Sequence, residues 1–214
     1  MTRKENAENV EKFVGGELCL DFANAVDWPG STNPVEWIST YEDLVSWSTR
    51  AGVLEQPQAQ LLRTKAAGNP AEAEVTFKNA VSFRRAVYRI FSAVVDKEKP
   101  SSIDMKTLNV ELKEARSHMR ISAAEKGFRL EWVDSENSLG RMLWPIAVSA
   151  AELLISENLK RVRKCATKEC SWLFLDRSRN RSRRWCNMQD CGNKAKARRH
   201  YRRKVAQKSL RKAL

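Results

Sequence analysis

The stretch from Cys186 to Lys204, CNMQDCGNKAKARRHYRRK, joins a close pair of cysteines to a run of lysines and arginines. A second close pair lies upstream, and fifteen residues separate the two pairs. Tetrahedral zinc takes its ligands from two short turns of chain that fold together. The spacing therefore predicts a structural Zn²⁺ site with four thiolate ligands, Cys165, Cys170, Cys186 and Cys191.

Other uses of these cysteines fit the sequence less well. Two disulfides would need an oxidising compartment, and a redox-active pair would have the spacing C-x-x-C beside a βαβ unit. An iron–sulfur cluster also takes four thiolates and stays an alternative, although the flanking residues are typical of a small structural finger. The fifth cysteine, Cys19, falls in an apolar helical stripe, which predicts a core residue.

The formal charge of +13 is distributed unevenly along the chain. Residues 160–214 carry +17, whereas residues 1–159 carry −4. A dense basic region predicts a polyanionic partner, with DNA as the first candidate and RNA as the alternative. The candidate nucleic-acid contacts are Arg177, Arg179, Arg181, Arg183, Arg184, Asn193, Lys194, Lys196, Arg198, Arg199, Arg202 and Arg203. Most of the arginines should contact phosphate, whereas Asn193 would either read a base edge or cap a helix.

The order of elements around the cysteines predicts a treble-clef-like finger. Residues 172–175 read as a strand, DRSRNRS as a turn, and Arg184 with Trp185 as the return strand. The basic run after the last cysteine reads as a helix whose first turn carries the fourth ligand. About 30 residues bury too little surface to fold alone, so metal binding would supply the missing free energy, roughly 10 kcal/mol or more.

The rest of the chain predicts a mainly helical body with a little sheet. Helical stripes cover Leu18 to Val26, residues 33–54 as one helix or two short ones with a stop at Gly52, about 71–96, about 102–119 and 138–159. The alternating segment FRLEWVD predicts a strand, paired with residues near Ile121. The predicted fold class is therefore mainly α with a small amount of β, in a helical N-terminal domain (1–159) and a small zinc finger (160–214).

Two polar residues interrupt the first apolar stripe. Asp21 and Asn24 would cap a helix, bond a buried backbone group or line a pocket for a small-molecule effector, and the structural roles are favoured. There is no glycine-rich phosphate loop, and the chain has only two histidines, so we expect no enzyme. No apolar run is long enough to span a bilayer and the N-terminus lacks a signal-peptide core, which predicts a cytoplasmic protein without a membrane partner.

Residues 161–204, RVRKCATKECSWLFLDRSRNRSRRWCNMQDCGNKAKARRHYRRK, resemble the CGNR zinc-finger family, named for the four residues that begin at its last cysteine. Upstream, LCLDFANAVDW, LVSWSTRAGVL and LWPIAVSAAELL are similar to the helical ABATE domain that commonly precedes this finger.

The resemblance implies a stress-responsive bacterial transcription regulator whose finger binds zinc through the same four cysteines and binds DNA. Its body would sense a ligand, form a homodimer or contact the transcription machinery. One position departs from the motif, because Lys194 replaces the closing arginine and gives CGNK. Lysine keeps the charge but lacks the planar fork that binds phosphate or guanine in a bidentate manner.

Overall fold

A computed structural model describes residues 13–27, 35–133, 138–167 and 169–212. Within them, seven α-helices dominate: α1 (Leu18–Ala23), α2 (Tyr41–Arg50), α3 (Gln56–Gly68), α4 (Pro70–Asp96), α5 (Ser102–Ser117), α6 (Leu143–Ile155) and α7 (Asn193–Lys212). Six short strands form three antiparallel pairs: β1 (Val26–Asp27) with β2 (Val35–Glu36), β3 (Met119–Ala124) with β4 (Gly127–Trp132), and β5 (Val162–Lys164) with β6 (Leu173–Leu175). The predicted mainly helical fold with a C-terminal cysteine finger is confirmed.

The longest helix, α4, lies where its apolar stripe predicted. Pro70 occupies its first turn, where the missing N–H costs nothing, and the Asn69 side chain accepts a hydrogen bond from Glu72 N. Lys97 ends it in the left-handed conformation at φ 62°. The expected hairpin of FRLEWVD with the residues near Ile121 is also present, since Ile121 pairs with Leu130.

Two predicted helices are shorter in the structure because local hydrogen bonds end them. The first stops at Ala23, and Val26 lies instead in β1. The second begins only at Tyr41, because Thr40 caps it by accepting a hydrogen bond from Asp43 N, while Val35 and Glu36 form a strand. Gly52, at φ 72°, follows α2 as the stop signal predicted.

Helix α5 ends at Ser117, two residues before its predicted end, and α6 (Leu143–Ile155) is shorter than predicted at both ends. Ser101 caps α5 by accepting a hydrogen bond from Ile103 N at 3.2 Å, and Arg89 holds the buried Asp104 carboxylate of the first turn at 2.6 Å. Helix α6 ends at Ile155, and a single 3₁₀ turn (Glu157–Arg161), capped by Ser156, completes the segment that was predicted to be helical to residue 159.

The core is built around α1, which buries Cys19, Leu20 and Phe22 completely against α4 and α6. Cys19 is thus a core residue, as predicted, and burial raises the pKa of its thiol to about 12. The same apolar cluster continues into the finger through Val162, Leu173 and Leu175. The finger therefore shares its packing with the body. No helix of the described residues has the length and apolar character needed to cross a membrane.

Candidate metal centre and basic finger

The four predicted ligands come together at one buried point. The Sγ atoms of Cys165, Cys170, Cys186 and Cys191 all lie within 4.8 Å of one another, and each residue is at most 5% exposed. The distance between Sγ atoms is 3.6 Å for Cys170 and Cys186 and 3.7 Å for Cys186 and Cys191. Sequence spacing alone therefore identified a set of thiols that the fold assembles.

The first cysteine pair sits in the turn between β5 and β6. Cys165 N donates to Trp172 O at 2.8 Å, which extends the β5–β6 ladder, and Cys170 N donates to Thr167 O at 3.0 Å, which closes the turn. Ser171 adopts a left-handed conformation at φ 52° and leads into β6. The hairpin of this finger thus encloses its first two ligands.

This arrangement corrects the predicted finger topology. Arg184 and Trp185 do not form the return strand, because the partner of β6 is β5, with Lys164 opposite Leu173. The Arg184 carbonyl instead accepts one hydrogen bond from Ala166 N at 2.9 Å, which fixes the chain over the first cysteine turn.

The second cysteine pair leads directly into the basic helix. The Asn187 side chain accepts a hydrogen bond from Gln189 N at 2.8 Å and starts a wide helical turn, Met188–Gly192, that contains Cys191. Helix α7 begins at the next residue, Asn193. The predicted position of the fourth ligand, at the start of the basic helix, is therefore close to the observed one.

The spacing of the thiols fits a single tetrahedral metal ion. Four thiolates at about 2.3 Å from a central ion lie about 3.8 Å apart, close to the observed distances, whereas bonded sulfurs would lie about 2.05 Å apart. All five cysteines are free. In a [4Fe–4S] cluster each thiolate binds a different iron, and in a [2Fe–2S] cluster two thiolates bind each iron, so both clusters would hold some of the sulfurs further apart than the 4.8 Å within which all four lie. The four cysteines thus form a metal-binding site.

The crowded thiols cannot all ionise without a cation among them. Hydrogen bonds with the other three thiols lower the pKa of Cys165 and raise that of Cys170. A bound divalent ion would remove this competition by binding all four sulfurs as thiolates.

A buried acidic residue organises the arginine-rich loop of the finger. The Asp176 carboxylate accepts hydrogen bonds from Ser178 N at 2.9 Å, Ser178 Oγ at 2.6 Å and Arg183 N at 3.0 Å. Burial alone would raise the pKa of Asp176, but these hydrogen bonds hold it below its ordinary value. The sequence does not predict this role of Asp176, although an acidic residue directly before an arginine-rich segment is the signal that would identify it.

Three of the predicted nucleic-acid arginines make hydrogen bonds or ion pairs within the protein, and Arg184 lies over the neighbouring Trp185 ring at 5.5 Å. Arg177 binds Glu17 and the Gly16 carbonyl of the body. Arg183 lies over the Phe174 ring and donates to the carbonyls of Val14, Trp185 and Cys186. Arg198 pairs with Glu169 on the surface. Two of these three arginines, Arg177 and Arg183, fasten the finger to the body.

Asn193 also has an internal partner, because its Nδ2 donates to Gln189 O at 2.9 Å. This contact favours the predicted cap or turn role. The remaining predicted cations are exposed, and apart from Lys194 they form no ion pair within the described part of the chain: Arg179, Arg181, Arg184, Lys196, Arg199, Arg202 and Arg203.

The finger docks on the body through the outer edge of β6. Asn24 Nδ2 donates to Leu173 O at 2.7 Å, and Asn24 Oδ1 accepts from Leu173 N at 2.9 Å. Two residues along the strand, Leu175 N donates to Gly15 O at 2.7 Å. Residues on either side of α1 thus occupy the place of a neighbouring strand, which leaves β6 with partners on both edges.

Aromatic residues close the same interface beside the metal centre. Trp172 Nε1 donates to Val26 O at 2.8 Å, and its ring meets Trp37 edge to face with centroids 5.4 Å apart. Tyr88 of α4 donates its hydroxyl to Ser171 O at 3.1 Å. Both tryptophans belong to the small apolar cluster around the cysteines.

Asp21 and Asn24 therefore have partners within the protein. Asp21 Oδ1 accepts from Gly15 N at 2.7 Å, and both polar atoms of the Asn24 amide bind Leu173. These contacts favour the structural roles over an effector pocket. An open groove on the body is lined by other residues, among them Phe77, Arg85 and Arg89.

Two protein-family models together match almost the entire described chain. The ABATE family, described as "Putative stress-induced transcription regulator", matches residues 16–157, which is more than half of the chain. The chain belongs to the ABATE family. The CGNR zinc finger matches residues 161–204 and contains all four clustered cysteines. A comparison with curated proteins gave no match. The predicted family, an ABATE domain followed by a CGNR finger, is confirmed, and the chain has the features of a metal-binding regulator.

Proposed function

We propose that this ABATE protein is a zinc-dependent DNA-binding transcription regulator that acts by binding and not by catalysis. The observation that carries the proposal is the position of the metal centre at the start of the basic helix. Cys191 is the last buried ligand, and α7 starts two residues later with the most cationic sequence of the chain. One ion would fix the direction in which that helix leaves the finger.

The proposed metal is zinc because the donor set consists of four buried thiolates. Closed tetrahedral sites of four sulfurs are typical of structural zinc, which needs no open position for a substrate. Zinc would supply folding free energy to the finger.

The proposed DNA contacts are the exposed cations, and they divide into two groups. Arg179, Arg181 and Arg184 project from the loop that Asp176 holds, whereas Lys196, Arg199, Arg202 and Arg203 project from α7. Because residues 193–204 of α7 are exposed over most of their surface, this part of the helix is free to enter a major groove. Arg177 and Arg183 are not expected to contact DNA, since they hold the finger on the body.

Single-stranded RNA is the second candidate, and one residue favours it. Tyr201 is 71% exposed among the cations of α7, where its ring could stack on an unpaired base. A duplex would leave this ring without a stacking partner.

Binding of labelled duplex DNA and of single-stranded RNA, measured by fluorescence anisotropy over a range of salt concentrations, tests the proposal. Replacing Arg199 and Arg203 by glutamine should reduce the magnitude of the salt slope by about 2, since each lost phosphate contact changes it by about 0.9. Matched removal of two exposed body charges, Lys106→Gln with Lys113→Gln, should leave the slope unchanged. Tighter binding of RNA than of duplex DNA would replace the proposal by the second candidate.

A further inference from the structure

The β3–β4 hairpin has one polar and one apolar face. On the polar face Arg120 pairs with Glu131 at 3.2 Å, and Arg129 binds the same carboxylate at 2.5 Å. The strand register places Ile121 opposite Leu130 and Ala123 opposite Phe128 on the other face. On the polar face both arginines therefore have an ionic partner in Glu131, whereas the side chains on the other face are apolar.

Only the base of the apolar face is covered by the body. Trp132, at the end of β4, packs against Trp144 of α6 with ring centroids 5.8 Å apart. Further out, the described part of the chain leaves Ile121 72% exposed, Leu130 52% and Phe128 81%. Isolated two-stranded hairpins are only marginally stable in water unless one face packs against another layer. The exposed face thus lacks the second layer that such hairpins need.

We propose that this face is the contact through which two copies of the chain form a homodimer. The shape of the face is self-complementary, since the large Phe128 ring lies beside the small Ala123. A two-fold axis between two hairpins places Phe128 of each copy over Ala123 of the other, so that each ring fills the hollow next to its counterpart.

The charge distribution also favours a second copy at this position. Two fingers, each carrying +17 over residues 160–214, repel one another, whereas residues 1–159 carry only −4. Self-association is therefore least opposed through the body. The apolar face adds no charge of its own that would select a strongly acidic or basic partner.

The area agrees with a weak dimer. The three exposed side chains leave roughly 400 Å² of apolar surface in water per copy, which is at the size that marks interaction sites. Two such faces together bury roughly 800 Å², less than the about 1,200 Å² of a stable specific interface and typical of a transient one. Leu130 also borders an open groove that contains Pro57 and Leu61 of α3, but the charged Glu55, Arg129 and Glu131 line it as well. We expect a dissociation constant on the order of tens of micromolar.

Sedimentation velocity of the metal-loaded full chain from about 1 to about 100 µM tests the dimer over the range in which such an interface dissociates. Phe128→Lys should raise the dissociation constant by at least about 30-fold, as expected for a central aromatic contact. The matched control is Ile155→Lys, because Ile155 is 86% exposed but lies at the end of α6, away from the hairpin. Circular dichroism verifies that each variant retains its helical content.

Mixing two variants tests the two-fold register itself. Ala123→Glu and Phe128→Lys should each weaken the homodimer of the variant chain. In a dimer of one chain of each variant, the new glutamate faces the new lysine at one contact. At the other contact Phe128 still faces Ala123, as in the wild type. Dimers in the mixture and monomers in each separate sample support the proposal. The proposal would be overturned if the wild-type chain stays monomeric or if Phe128→Lys still forms the dimer. It would also be overturned if Ile155→Lys weakens the dimer as much as Phe128→Lys does, or if the mixture of variants stays monomeric.

Discussion

The side-chain amide of Asn24 binds the backbone of Leu173 in both directions, as donor at 2.7 Å and as acceptor at 2.9 Å. Although 149 residues separate them, the two residues join the ABATE body to the strand that follows the first cysteine pair. Asn24 is only 2% exposed, so water cannot replace either hydrogen bond. The metal centre and the core of the body should therefore gain or lose order together.

Asn24→Ala should destabilise the chain by about 2–4 kcal/mol, because it leaves a buried N–H and a buried carbonyl of Leu173 without partners. Urea unfolding followed by circular dichroism measures the change. Asn109→Ala, on the exposed side of α5, should stay within about 0.5 kcal/mol of wild type. Equal stability of the two variants would show that the amide contact does not hold the finger on the body.

Gly15→Ala should destabilise the chain by about 1–3 kcal/mol through crowding. A Cβ at position 15 would lie 2.8 Å from Asp21 N and 2.9 Å from Leu20 Cβ. The backbone has little freedom to retreat, since Gly15 O accepts a hydrogen bond from Leu175 N. Gly68→Ala is the control, because a Cβ there meets nothing within 4 Å. Thermal unfolding should show a lower midpoint temperature for Gly15→Ala than for Gly68→Ala. Equal midpoints would contradict the close packing around Gly15.

Ionisation of the Asp21 carboxyl should lower the free energy of unfolding as the pH rises from about 4 to about 6. Burial is the main cause that raises the pKa of its carboxyl from 3.8 to about 6, and the hydrogen bond from Gly15 N only partly opposes it. The folded chain therefore holds this proton more tightly than the unfolded chain, and the stabilisation present below pH 4 is lost once the folded carboxyl ionises.

Asp21→Asn keeps an oxygen acceptor for Gly15 N without the buried charge. It should be more stable than wild type at pH 7 by roughly 1–2 kcal/mol and of similar stability at pH 4. Chemical unfolding at the two pH values measures the difference, with the exposed Glu98→Gln as the control. A gain of equal size at both pH values would mean that the charge of Asp21 is not its cause.

Asp176→Asn should weaken nucleic-acid binding even though it makes the finger more positive. The carboxylate accepts three hydrogen bonds that order the loop of Arg179 and Arg181, and an amide has only one oxygen to accept them. Glu169→Gln removes the same charge from an exposed ion pair and should leave binding equal or slightly tighter. If anisotropy shows tighter binding for both variants, net charge and not loop order controls affinity.

The cysteine spacing predicted the metal ligands because a chemical requirement fixes both residue type and interval. Likewise, the apolar stripe of α4 predicted its helix within one residue, since 27 residues of regular period leave little choice. The strand FRLEWVD followed from its alternation, and its expected pairing with the residues near Ile121 is present, whereas the register came only from the structure.

The sequence did not predict the partners of β6, because these lie far away in the chain. Nothing local distinguishes Arg184 and Trp185 from the observed partner strand, Val162–Lys164, since both segments mix basic and apolar residues. The role of Asn24 depends in the same way on where α1 meets the finger. Arg177 and Arg183 also read like the other arginines of the finger, and only their contacts with the body separate them.

A zinc titration of metal-stripped protein, with duplex-DNA affinity and metal content measured in the same samples, tests the central claim most directly. The account predicts that affinity rises with added zinc and saturates at one ion per chain, and that Cys186→Ser neither retains the ion nor gains the affinity. Cys19→Ala, which removes the thiol outside the cluster without placing a polar group in the core, should behave like wild type at each zinc level. Equal affinity for DNA with and without zinc would contradict the coupling of the metal centre to the basic helix.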